Sequence, residues 1–117
     1  MQLTLDADPR LNLFRACSAG EVQVGERVLR ASCIVTAETV IENWKSGDLQ
    51  AIYALQPDIV LWGTGETQRF PPAAIRKAFA ERRIALEAMT NGAACRTFNI
   101  LVQEGRRAMA ALSIEGI

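Results

Sequence analysis

DIVLWGTGETQRFPPAAIRKAFAERRIALEAMTNGAACRTFNILVQEGRRAMAALSI, residues 58–114, alternates short apolar runs with amphipathic stretches, and that alternation decides the fold. Residues 58–62 (DIVLW), 84–89 (IALEAM) and 107–114 (RAMAALSI) are brief apolar runs, the pattern of strands buried in a covered sheet. Between the first two, Pro71, Ile75, Ala78, Phe79 and Arg82 share one side of a helix that Pro71-Pro72 opens and that runs to about Arg83. Between the last two, Ala94, Phe98, Leu101 and Val102 form the stripe of a second helix, capped by Thr90 or Asn91 and stopped at Gly105. Upstream, Gly47-Asp48 starts a helix of about two turns with Leu49, Ile52 and Tyr53 at helical spacing, which Pro57 ends. From residue 48 the order is helix then strand, three times over. Such an order implies a parallel or mixed sheet covered by helices.

The first third reads as strands. Residues 11–17 alternate with period two, and residues 21–24 and 27–29 flank Gly25-Glu26, where a glycine suits the positive φ of a type II′ hairpin. Residues 32–36 and 38–44 carry the β-branched Ile34, Val35, Thr36, Thr39, Val40 and Ile41, and the strand run ends near Trp44. These strands must join the sheet or cover it. No repeat, linker or low-complexity tract interrupts the 117 residues, so one cooperative unit over 1–117 is expected.

Composition narrows the function. Thirteen basic residues balance thirteen acidic ones, which argues against a domain whose task is gripping nucleic acid or an anionic membrane. Arg76, Lys77 and Arg83 make a basic edge, but Glu81 stands four residues from Lys77, and the face reads as solvated. Histidine is absent, which removes His-based triads, His general acid–base chemistry and His-containing metal sites. Cys17, Cys33 and Cys95 are odd in number and lack CxxC spacing, so reduced thiols in a cytoplasmic setting are expected. Residues 1–9 carry two acids and no basic residue and read as no targeting segment, and no apolar run approaches a membrane span. No metal or cofactor is called for.

The segments DIVLWGTGETQRFPP (58–72), EAMTNGAACRTFNILVQEGR (87–106) and AAL (110–112) resemble a small α/β family of uncharacterised prokaryotic proteins. That family includes the mitochondrial complex I assembly factor 3 and an adipogenesis-associated domain protein. The shared features are a strand followed by GTG, an acid-x-M-x-T segment, an A-C-x-T-x-N helix and an E-G-R turn, and the resemblance covers essentially the whole chain. It implies a three-layer α/β domain: a mixed central sheet, packed helices and an N-terminal β-hairpin layer. For function it implies a non-enzymatic protein-binding or assembly-factor-like domain. Trp62 departs from the family, which places an aliphatic residue before GTG.

The candidate site lies beyond the carboxyl ends of the strands, where ligands of open α/β sheets usually sit. It comprises Gly63, Thr64, Gly65, Glu66 and Arg69 after one strand, and Thr90, Asn91, Cys95, Arg96 and Asn99 after the next. Gly63 and Gly65 permit a tight turn or cradle a ligand, the turn being the simpler reading. Residues 90–93 open a helix whose N–H groups could hold a carboxylate or phosphate. Cys95, in the first turn beside Arg96, is a thiol of lowered pKa or, with no histidine as base, a packed small hydrophobe. Cys17 and Cys33 read as core. Asn99 orients a ligand or satisfies a loop. Glu87 is expected in an ion pair with Arg69 or Arg96, and Ile100 and Leu55 lie off their helical stripes as leftover apolar surface. Two functions follow: a binding or assembly domain using the rim (Glu66, Arg69, Thr90, Asn91) toward a protein or a membrane-associated complex, with homodimerisation open; or a small-molecule or anion site in the crevice, with Cys95 or Glu66 reactive.

Overall fold

The computed structural model describes residues 9–18, 20–45 and 47–114; most of the segment read above as carrying no targeting signal lies outside them. In chain order the elements are β1 (Phe14–Ser18), β2 (Glu21–Val24), β3 (Arg27–Leu29), β4 (Cys33–Thr36), β5 (Val40–Glu42), α1 (Leu49–Ala54), β6 (Ile59–Gly63), α2 (Ala73–Glu81), β7 (Ala85–Met89), α3 (Asn91–Gln103) and β8 (Ala108–Leu112). The expected helix–strand alternation is present throughout. Strands β1, β2 and β3 form an antiparallel sheet of their own, while β4 and β5 join the main sheet in the order β5-β4-β8-β6-β7. That sheet is mixed: β6 runs parallel to β7 and β8, and β4 runs antiparallel to β8.

Strict alternation sorts the main sheet between two cores. Cys33, Val35, Leu61, Ala108, Ala110 and Leu112 face α3 and the small sheet. Ile34, Val60, Trp62, Met109 and Ala111 face α1 and α2. Every residue of β8 is buried, as the near-continuous apolar run demands of a central strand covered on both faces. The layers are thus the small sheet with α3, the five-stranded sheet, and α1 with α2.

Local chemistry fixes the ends. Asp48 caps α1 by accepting from Ala51 N–H, and Thr90 caps α3 by accepting from Ala93 N–H, so Thr90 rather than Asn91 is the cap. Gly25 takes φ +56° at the two-residue β2–β3 turn, and Gly105 takes φ +81° after α3. Trp62 packs edge-on against Trp44 and Phe79 on the α1/α2 face.

Candidate functional site

The two loops at the carboxyl ends of β6 and β7 leave toward opposite faces of the sheet, one into α2 and the other into α3. This is the topology of a ligand crevice. The loops are nevertheless stitched together. Thr64 N–H donates to Met89 O at 2.9 Å and Asn91 N–H to Gly65 O at 2.8 Å. The buried Asn91 side chain accepts from Gly65 N–H at 3.1 Å and donates through Nδ2 to Ser113 O at 2.9 Å. One amide thereby joins the ends of β6 and β8 to the start of α3. Gly63 is buried beneath it, and a Cβ there would fall on Asn91 Oδ1 and Leu112 Cδ2. The glycine serves a close approach between layers, and Gly65, at φ +87°, serves the turn.

The crevice expected between the two loops is consequently closed at its base. A cavity of about 250 Å³ opens instead between those loops and the rim of β1, lined by Cys17, Ser18, Gly65, Glu66, Thr90, Asn91 and Gly92. A second, of about 220 Å³, continues along the β1–α3 seam past Gly92, Cys95, Arg96 and Asn99 to Phe14. The α3 amides have little left to offer an anion. Asn91 N–H is given to Gly65 O, Ala93 N–H to Thr90 Oγ1 and Ala94 N–H to Thr90 O, which leaves Gly92 N–H without a partner among the described residues.

Asn99 is spent on the backbone. Its Oδ1 accepts from Phe14 N–H and its Nδ2 donates to Phe14 O, both at 2.8 Å, so the side chain mimics a strand partner for β1. Of the two readings open for Asn99, loop satisfaction is the one realised. Replacing it by alanine is expected to cost about 2 kcal/mol, because two part-buried backbone groups lose their partners. Thermal unfolding checks the loss, and hydrogen exchange should show β1 amides opening faster while those of β8 keep their protection.

One of the three cysteines departs from expectation. Cys33 is buried as expected, and burial, then Glu42, pushes its thiol up to about 12. Cys95 is also buried, and it is the fifth helical residue after the Thr90 cap, beyond the first turn where the dipole acts. Burial raises its thiol pKa, Cys17 and Cys33 raise it further, and Arg96 lowers it by less. Of the two readings open for Cys95, the packed small hydrophobe agrees with its burial and raised pKa, and the lowered pKa does not. Cys17, read as core, is exposed at the cavity rim.

The remaining candidates occupy the surface. Thr64 Oγ1 donates to Thr67 O at 2.7 Å and accepts from Arg69 N–H at 3.1 Å, and Gln68 Nε2 donates to Ala88 O at 3.0 Å. These bonds tie down residues 64–69 and leave Phe70 81% exposed. Among the described residues, Glu66, Arg69 and Arg96 have no ion-pair partner, and Glu87 faces solvent without the pair expected for it. Ile100 is exposed as foreseen, but Leu55 packs half-buried against the α1/α2 core. Residue pattern did not single out Phe70 or Ser18. Nor did it find a larger cavity, about 380 Å³ at the opposite end of the sheet, where Leu11, Glu38, Leu55, Arg106 and Arg107 converge. The Gly105-Arg106 turn that helps line it had read only as a helix stop.

Fold and site together define a layered α/β domain whose crossing loops are sealed by an asparagine and flanked by a shallow rim groove. The chain belongs to the family described as "Protein of unknown function (DUF498/DUF598)", which matches residues 14–113. Similar curated proteins include the "13 kDa major membrane protein" of Francisella tularensis, 39% identical over 66 residues, 56% of this chain and 54% of that protein. Another is "NADH dehydrogenase [ubiquinone] 1 alpha subcomplex assembly factor 3" of Bos taurus, 38% identical over 106 residues, 81% of this chain and 56% of that protein. The chain spans about half the length of these curated relatives. A solution structure from Xanthomonas campestris superposes with TM-score 0.82 at 36% identity, covering 100% of this chain and 95% of that one. The family resemblance and the three-layer architecture it implied are both present. No helix among the described residues is long and apolar enough to cross a membrane.

Proposed function

We propose that this chain is a non-enzymatic, assembly-factor-like binding domain that docks a protein through the rim loop at residues 64–70. The observation that carries this reading is Phe70: a large aromatic ring held in solvent by a loop whose backbone is tied down by Thr64 and Gln68. An exposed aromatic on a pre-ordered loop costs little entropy to bury, and aromatic and Arg side chains dominate interface hot spots. Arg69 and Glu66 flank the ring with no ion pair among the described residues, their charges available for steering and register. The assembly-factor relatives support a protein as the occupant, with a membrane-associated complex as its setting. The cysteine pattern supports a cytoplasmic, reducing compartment. Commitment of the α3 amides and retention of the Cys95 proton weigh against the anion-binding or enzymatic alternative.

The test is affinity capture from the native lysate with detergent-solubilised membranes, comparing the wild-type chain with Phe70→Ala and Arg69→Glu. Both variants are expected to melt within about 0.5 kcal/mol of wild type, since both side chains are exposed. Each is expected to weaken the captured complex at least tenfold. Capture unchanged in both variants, or capture of nothing by the wild type, overturns the reading.

A further inference from the structure

Strand β1 carries a bulge. Phe14 pairs with Val24 and Ala16 with Gln23, so the register slips by one residue between them. A bulge sets two residues of one strand against one of its partner and resets which side chains point inward. Val24 and Val22 both face the core, and their partners Phe14 and Cys17 therefore share that face although they stand three positions apart. Unbroken alternation would have put them on opposite faces. Phe14 meets Phe98 of α3 edge-on, ring centroids 5.2 Å apart. Cys95 lies one turn before Phe98 on the same stripe, and Cys17 and Cys95 line one cavity on the β1–α3 seam. The Cys17 thiol helps raise the pKa of the Cys95 thiol.

We infer that Cys17 and Cys95 form a redox-labile dithiol, a modification site at which a peroxide converts the chain to an intramolecular disulfide strapping β1 to α3. The two sulfurs have unequal roles. Cys17 is exposed and meets the oxidant first; Cys95 is buried at the same cavity and resolves the product, giving up its proton as its sulfur attacks. In the first step the Cys17 sulfur attacks a peroxide oxygen: an S–O bond forms, the O–O bond breaks, and the leaving hydroxide departs as water with the Cys17 proton. In the second the Cys95 sulfur attacks the sulfenyl sulfur: the S–S bond forms, the S–O bond breaks, and hydroxide leaves as water with the Cys95 proton. Two thiols and one hydrogen peroxide thus give one disulfide and two waters, each sulfur losing one electron. Both rim cavities border Cys17 and Gly92, so the strap closes where they adjoin.

The test treats the full chain with hydrogen peroxide and reads intact mass and non-reducing peptide maps, with Cys17→Ser alongside. The expected result is a monomer lighter by two hydrogens, a peptide pair linking Cys17 to Cys95, and a free Cys33. Cys17→Ser, an exposed change that leaves the core intact, is expected to abolish the link and leave Cys95 reduced. Before oxidation, iodoacetamide at neutral pH is expected to label Cys17 at least tenfold faster than Cys95 or Cys33. Stable oxygen adducts on Cys17 beside a free Cys95, a Cys17–Cys17 linked dimer, or a link through Cys33 would each overturn the inference.

Discussion

Phe98→Ala is expected to remove about 4 kcal/mol of stability, within the 3–5 kcal/mol typical of a fully buried aromatic truncated in a core. Phe98 is completely buried at the centre of α3 and stacks edge-on with Phe14, so it joins the helix, the small sheet and the central sheet at once. For a domain of this size the loss corresponds to a fall in Tm of roughly 15 °C. Since β1 is held to α3 by this ring pair and by the Asn99 clip, its amides should lose protection before those of β8. A loss below about 1 kcal/mol in urea unfolding would mean that the small sheet is not anchored through Phe98.

Gly63→Ala is expected to cost about 3 kcal/mol although it adds one methyl group, at the upper end of what overpacking costs. The new Cβ would fall on Asn91 Oδ1 and Leu112 Cδ2. Asn91 cannot swing aside cheaply, because Gly65 N–H and Ser113 O would then lose their partner. This explanation makes a sharper prediction through a double-mutant cycle. In an Asn91→Ala background the polar obstacle is gone, and Gly63→Ala should cost at least about 1 kcal/mol less than it does in the wild type. Additive losses would show that the clash with Leu112 alone sets the cost.

Much of the fold was legible because apolar periodicity reports burial directly. The stripe Ala94, Phe98, Leu101 and Val102 is buried as a unit, and residues 107–114 contain the fully covered β8. The turns were legible for the same kind of reason: Gly25 and Gly105 occupy positive φ, which few other residues tolerate. The candidate site was legible as a place but not as chemistry. Loop positions at the ends of β6 and β7 follow from element order, whereas the partners of the polar side chains there do not. Asn99 meets a backbone 85 residues away, and Asn91 meets one 22 residues on. Cys17 was misplaced for a related reason. The β1 bulge turns it to the face of Phe14, yet it borders two cavities at the open rim of the β1–α3 seam, so it stays exposed.

The sequence by itself therefore determined the element order, the two-faced burial of the sheet, the absence of histidine chemistry and the family. Those properties depend on composition and on spacing along the chain, which are local. Only the tertiary structure decided that Asn91 seals the loop crossing, that Asn99 clips β1, that Phe70 stands in solvent, and that Cys17 and Cys95 line one cavity. A polar side chain finds its hydrogen-bond partner, and a thiol its neighbour, only when distant segments meet. That meeting is set by strand register and by the packing of α3 against both sheets.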